Sequence, residues 1–261
     1  MTDWATENFS PCVLIPVYNH WQVLRSTVEK VRGFGLPIVL VNDGSHRQCR
    51  EVIETIVSDF ESVHLVSRDY NGGKGAAVKD GLRAAHALDF THALQIDADG
   101  QHDIDDAQRF LRTAQAFPEA LVAGYPVFDE SVPKHRYYAR YITHVWVCIN
   151  TLSTTIRDSM CGYRVYPLAS SCALIEASRI GGRMDFDGEF IVRWYWAGLP
   201  LQQLQTRVVY PEGGVSHFRL WRDNSLISMM HARLFFAMLM LLPRLLARKF
   251  PTIRGSARPC R

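Results

Sequence analysis

The feature that most restricts the fold is a regular alternation of short apolar runs with longer amphipathic segments over the first half of the chain. Cys12 to Val17, Pro37 to Val41, Val63 to Val66, His92 to Ile96 and Leu121 to Tyr125 read as strands. Between them Trp21 to Val31, Arg47 to Phe60, the alanine-rich Lys74 to Leu88 and Asp103 to Ala116 read as helices. Strands alternating with helices of this length predict a mostly parallel, Rossmann-like α/β sheet with helices on both faces. Such sheets bind ligands at the carboxyl ends of their strands. A chain of 261 residues accommodates one large domain of this kind.

The second half is less regular. His135 to Thr155, rich in aromatic and β-branched residues, reads as a long helix, Met184 to Ala197 as another, and Gln203 to Tyr210 as a strand. Ser225 to Phe250 is strongly apolar and helical, with a break expected at Pro243. A formal net charge of +3, without a basic run interleaved with aromatics, argues against nucleic acid as a partner. The six cysteines are scattered without a CxxC pair, which argues against a zinc site or disulfide framework and fits a reducing cytoplasm. Met1 to Ser10 is acidic and polar, so no secretory leader is expected.

Three strand-end motifs carry chemistry. Asp97-Ala98-Asp99-Gly100-Gln101-His102 follows the strand His92 to Ile96. Two carboxylates two residues apart on a turn can face one ligand, and hard oxygen donors suit Mg²⁺ or Mn²⁺ held against substrate phosphates. The bland alternative is a solvated turn in which Asp99 or Asp103 caps a helix. In Val41-Asn42-Asp43-Gly44-Ser45, Asp43 can accept hydrogen bonds from a nucleobase or ribose, or serve only as a helix cap. Asn71-Gly72-Gly73-Lys74-Gly75 opens a helix, and a glycine-rich helix start with a lysine can cradle phosphate. It is not a P-loop, which needs Ser or Thr after the lysine.

Arg136 and Arg140 lie one helical turn apart and can clamp an anionic group such as a lipid phosphate. Arg164 is a third candidate for that role. Asp185-Phe186-Asp187-Gly188-Glu189 places three carboxylates near a helix start. Asp187, with Asp185 beside it, is the candidate base for a hydroxyl acceptor. A phosphate acceptor is already ionised and needs none, and acids also favour a helix N-terminus without any catalytic role.

Taken together, Ile15-Pro16-Val17-Tyr18-Asn19, Val41-Asn42-Asp43-Gly44-Ser45, Asn71-Gly72-Gly73-Lys74-Gly75-Ala76-Ala77 and Asp97-Ala98-Asp99-Gly100-Gln101 resemble the family 2 glycosyltransferases of the GT-A fold, in order and spacing across residues 11–125. Asp158-Ser159-Met160-Cys161-Gly162-Tyr163-Arg164 is similar to a segment of the polyprenyl-phosphate branch, which includes dolichyl-phosphate mannosyltransferase. A further likeness, through Ser131-Val132-Pro133, Arg157 to Leu168 and Gly214 to Leu234, is to small family 2 transferases found with aryl polyene lipid biosynthesis in bacterial envelopes. The resemblance implies that Pro16, Tyr18, Asn19 and Asp43 line the nucleobase and ribose pocket and that Lys74 and Asp97 bind the donor. It implies Asp99 as the ligand of Mg²⁺ or Mn²⁺, with Gln101 and the late His217 as further ligands. His20 departs from the branch, which usually has Glu there.

Leu234 to Leu242 contains no polar residue and is flanked by Arg233, Arg244, Arg248 and Lys249. Nine residues cannot span a bilayer, and no apolar stretch of spanning length is expected. An apolar helix with basic ends can lie in the membrane interface. The domain reading is a GT-A domain over 1–225, with a nucleotide-sugar half at 11–125 and an acceptor half at 126–225, followed by an interfacial helical segment and basic tail at 226–261. The expected activity is metal-dependent, inverting transfer of a hexosyl group from a UDP- or GDP-sugar to a lipid or lipid-phosphate acceptor. Its expected place is the inner, cytoplasmic face of the membrane, peripherally attached. A non-catalytic membrane scaffold that retains the nucleotide pocket is the alternative from another class. A nucleotidyltransferase is the other rival, but it would carry a basic, glycine-rich loop where this chain has Tyr18-Asn19-His20.

Overall fold

The computed structural model describes residues 4, 8–99, 104–127, 134–207 and 220–249. Seven strands form one sheet in the order β3-β2-β1-β4-β6-β5-β7. They are β1 (Pro11–Val17), β2 (Ile38–Asp43), β3 (Val63–Arg68), β4 (His92–Gln95), β5 (Leu121–Val127), β6 (Arg164–Pro167) and β7 (Leu201–Arg207). The helices are α1 (Trp21–Arg32), α2 (Arg47–Asp59), α3 (Lys74–Ala87), α4 (Ala107–Ala116), α5 (Lys134–Thr151), α6 (Leu168–Ala177), α7 (Phe186–Ala197) and α8 (Leu220–Lys249). A short 3₁₀ turn, Ile104–Asp106, precedes α4.

Strands β1 and β2 are buried almost throughout, as central strands covered on both faces must be. Side chains alternate between two cores because successive residues of a strand point to opposite faces. Val13 and Ile15 join Leu24 of α1, Ile53 of α2 and Phe110 of α4. Cys12 and Leu14 join Ala77 and Leu82 of α3, Phe190 and Trp194 of α7, and Met230 and Leu234 of α8.

The predicted strands and helices of the first half all form. Two elements went unread: β6 and α6. Strand β6 runs antiparallel to both neighbours, pairing Gln95 with Arg164 and Ala123 with Arg164, and it interrupts an otherwise parallel sheet. It is only four residues long, is wholly buried and contains an arginine, so neither alternation nor apolarity marks it.

Two expectations about the C-terminal region need correction. Helix α8 continues through Pro243 for 30 residues, so no break occurs there. The missing N–H of one proline removes a single hydrogen bond. The helix keeps Met230, Leu234, Met238 and Leu245 packed in the core on both sides of that position. Without the break, Trp221–Lys249 is long and apolar enough by composition to cross a membrane, contrary to the nine-residue estimate. The domain boundary expected between residues 225 and 226 lies within this helix, which packs on α5 and α7.

Candidate active site

The chain order reverses beside β1, which lies between β2 and β4, and the crevice at the carboxyl ends of these strands is the expected ligand site of an open α/β sheet. Its floor is laid by the β2 loop. Gly44 has φ +64°, and a Cβ there would lie 2.4 Å from the Tyr70 carbonyl carbon, so only glycine lets the two loops close. Ser45 Oγ accepts from the Asn19 amide at 3.2 Å, and Asn19 Oδ1 accepts from the His46 amide at 2.9 Å. Asn19 itself has φ 59°, and its side chain stitches the β1 loop to the β2 loop.

Asp43 is almost fully buried, with its two oxygens accepting from the amides of Gly72 and Gly73 at 2.9 Å each. Arg68 Nε lies 2.9 Å from the same carboxylate. Two expectations change here. The amides of Gly72 and Gly73, read as a phosphate cradle, are bound by Asp43. Asp43, read as a nucleobase acceptor, spends its carboxylate on fixing that glycine loop.

Lys74 begins α3 and points its ammonium between two carboxylates, 2.8 Å from Asp97 Oδ2 and 3.2 Å from Asp187 Oδ2. Burial alone would lower its pKa, but the charges of Asp187 and Asp97 outweigh that and raise it well above the usual lysine value, so it stays a cation. Gln95 Nε2 donates to Asp97 Oδ1 at 3.1 Å, and the Tyr166 hydroxyl donates to Gln95 Oε1 at 3.2 Å. Gly162 completes the wall: a Cβ there would sit 2.4 Å from Lys74 Nζ and 2.9 Å from Gln95 Nε2. Asp99, two residues beyond Asp97, is half-buried at the same strand end, and Pro16 and Tyr18 are half-buried at the end of β1.

Arg164 differs from expectation. It is fully buried, and its guanidinium donates to the carbonyls of Cys161, Asp187 and Ser159 at 2.8 to 2.9 Å. No face of it is left for an acceptor, and it braces the backbone of Asp187 from below. Arg140 forms a two-pronged ion pair with Asp158, which also accepts from the amides of Met160 and Cys161. Burial alone would raise the Asp158 carboxyl, but Arg140 and the two amides hold it below the ordinary carboxylate range. Asp185 accepts from the Arg183 amide at 3.0 Å and lies 3.6 Å from Arg233, so it anchors the turn before α7 rather than joining Lys74. Gln101, His217 and the side chain of Arg136 lie outside the described residues.

The acidic strand end is an all-oxygen donor set, the kind that suits Mg²⁺ or Mn²⁺. Among the described residues no group of three or more His, Cys, Asp or Glu side chains converges. Sequence reading missed Gln95, Tyr166, Gly162, Arg68 and Glu189. Of these, Gly162 and Tyr166 lay within the Arg157 to Leu168 stretch and Glu189 within the Asp185 to Glu189 run already singled out, and Gln95 and Arg68 lay in none of the motifs.

The architecture is that of the GT-A glycosyltransferases. A structure of TarS from S. aureus with UDP-GlcNAc superposes with a TM-score of 0.56 at 16% identity, covering 95% of this chain and 74% of that one. Glucosyl-3-phosphoglycerate synthase from Mycobacterium tuberculosis, with Mn²⁺, UDP-glucose and phosphoglyceric acid, gives 0.59 at 14% identity over 91% and 80%. The model of the glycosyl transferase family 2 matches residues 12–178, and the chain belongs to that family. A dolichyl-phosphate beta-glucosyltransferase of Trichomonas vaginalis is 28% identical over 69% of this chain and 56% of its own length. The mouse dolichyl-phosphate beta-glucosyltransferase is 22% identical over 80% and 70%. The chain thus spans little more than half of the Trichomonas relative.

Proposed function

We propose that this protein transfers a sugar, with inversion, from a nucleoside-diphosphate sugar to a polyprenyl-type lipid phosphate at a membrane surface. The observation that carries the reading is the Lys74–Asp97–Asp187 cluster, set at the strand-order reversal with Asp99 beside it. Such a buried, paired arrangement is hard to account for in a scaffold that no longer does chemistry. The relatives' names supply the acceptor class.

In this reading Pro16, Tyr18 and Asn19 bound the nucleotide, with Asp43 and Arg68 fixing the loop beside it. Asp99 would hold Mg²⁺ or Mn²⁺, with Gln101 and His217 as further candidates, and the ion would neutralise the leaving diphosphate. The bond from the anomeric carbon to the diphosphate oxygen breaks, its electron pair leaving with the nucleotide, as the acceptor oxygen bonds from the opposite face. A phosphate acceptor is already an anion, so Asp187 need not remove a proton. Its part is to hold Lys74, together with Asp97, as a fixed cation beside the reacting centre.

The membrane side of the reading rests on α5 and α8. Helix α5 exposes Tyr141, Ile142, Val145, Trp146 and Ile149, and α8 exposes Phe236, Leu239, Met240 and Leu246. The two helices carry many cations and a single acid, the buried Asp223. An apolar, basic face of this kind complements an anionic bilayer. An open groove of about 780 Å³ lies along it, lined by apolar Tyr141, Val145, Ile149 and Leu152 together with Cys148, His144, Ser153, Thr154 and, at one end, the basic Lys249.

The test is nucleoside-diphosphate release from UDP-glucose, UDP-GlcNAc and GDP-mannose, with Mn²⁺, farnesyl phosphate and anionic vesicles. One donor should give release that needs both metal and farnesyl phosphate. Release from none of them, or release indifferent to farnesyl phosphate, contradicts the assignment.

A further inference from the structure

Helix α8 reaches the active site through two side chains one turn apart. Met230, buried, packs on the first turn of α7: a Cβ on Gly188 would lie 3.3 Å from Met230 Cε. Arg233 lies 2.9 Å from Glu189 and 3.6 Å from Asp185. Glu189 is fully buried and also binds Arg193 at 2.7 Å and the Gly181 amide at 2.9 Å. Asp187, between these two acids in sequence, touches Lys74.

The loop before α7 is joined to the glycine loop as well. The Ala76 amide donates to the Gly182 carbonyl at 2.7 Å, and Arg183 donates to the Asn71 side chain at 3.3 Å. Residues 181–189 therefore touch α8 at one end and the Lys74 loop at the other. Arg233 is half-exposed, with a side-chain exposure of 51%. It lies on the same helical stripe as the exposed Phe236 and Met240, three and seven residues on. A surface that takes up Phe236 and Met240 also takes up the flank on which Arg233 sits.

We propose that Arg233 is a positioning residue that couples the seating of α8 on a membrane to the order of residues 181–189, and through them to Asp187 and Lys74. The inference rests on the membrane reading above. Desolvating the outer side of Arg233 strengthens its pair with Glu189, because the attraction grows as water is removed. Arg193 and the Gly181 amide still satisfy Glu189 when Arg233 is absent, so the fold does not depend on it.

Amide hydrogen exchange on the full chain tests this without knowledge of donor or acceptor. The probe is vesicles of phosphatidylcholine and phosphatidylglycerol, applied to wild type, Arg233→Lys and Arg233→Gln. Vesicles should slow exchange of residues 181–189 about tenfold in wild type, as expected when a charge-assisted hydrogen bond to a buried carboxylate tightens a locally opening segment. Arg233→Lys should keep most of that slowing and Arg233→Gln should lose it, with melting temperature and co-sedimentation unchanged in both. Equal slowing in Arg233→Gln, or none in vesicle-bound wild type, overturns the coupling. Wild type that fails to co-sediment overturns the membrane reading and the coupling with it, so the two failures are told apart.

Discussion

In the first half of the sheet the buried Asp43 is held by backbone amides of a loop and by an arginine at a strand end; from α5 onward the buried Asp158 and Glu189 are held by arginines carried on helices. Asp43 is satisfied by Arg68 at the end of β3 and by the amides of Gly72 and Gly73 in the loop after it. Glu189, by contrast, takes Arg233 from α8, and Asp158 takes Arg140 from α5. The first arrangement depends mainly on backbone amides of a loop at the sheet edge. The second depends on how helices cross, and those same helices expose aromatic and aliphatic side chains to the surroundings. The first half is tied together through backbone groups, and the second half is tied to it by a few ion pairs such as Lys74–Asp187.

The sharpest way to break this picture is at the junction of the halves. Lys74→Met should cut turnover by about a thousandfold and cost roughly 3 kcal/mol of stability, because Asp97 and Asp187 are left sharing a site without their cation. A chemical-denaturation curve beside a steady-state assay reads both effects. Gly162→Ala should be milder in stability but still lower turnover by about a hundredfold, since its Cβ must displace the Lys74 ammonium. Full activity in that variant would mean that the position of Lys74 is unimportant.

In the second half of the chain, Asp158→Asn should lose about 2 kcal/mol by removing one partner of a buried pair. The pH dependence has a definite sign. The carboxyl pKa is lowered in the folded protein, so its stabilising contribution is complete above the unfolded value of 3.8 and is lost as pH falls through the lower folded value. The gap between wild type and variant should therefore hold from neutral pH down to about 4 and narrow below it, in unfolding curves taken across that range. The smallest effect on the folded chain is expected from Ile142→Glu, which touches an exposed position. Thermal stability should stay within about 0.5 kcal/mol while vesicle affinity falls roughly tenfold.

The two halves also differ in how far they could be read in advance. Five strands, four helices and the Asp97–Asp99 strand end were legible because local pattern and turn chemistry decide them. The antiparallel β6 was not, because a four-residue buried strand leaves no period to detect. Arg164 was misjudged for the same reason: an arginine reads as exposed until three backbone carbonyls are found around it. Asp43 was placed at the correct strand end, but nothing in its own segment shows that the Gly72 and Gly73 amides reach it. Helix α8 was cut short at Pro243 because its packing on α5 and α7, which outweighs one lost hydrogen bond, is invisible to a linear reading.

The central claim is that the acidic end of β4 binds a nucleoside diphosphate through a divalent ion held by Asp99. Calorimetric titration of UDP and of GDP into wild type and Asp99→Asn, each with and without Mn²⁺, tests it most directly. The account predicts that one nucleotide binds wild type only with Mn²⁺, and that Asp99→Asn keeps its fold but loses that binding. Binding that needs no metal, or that survives equally in Asp99→Asn, would contradict it.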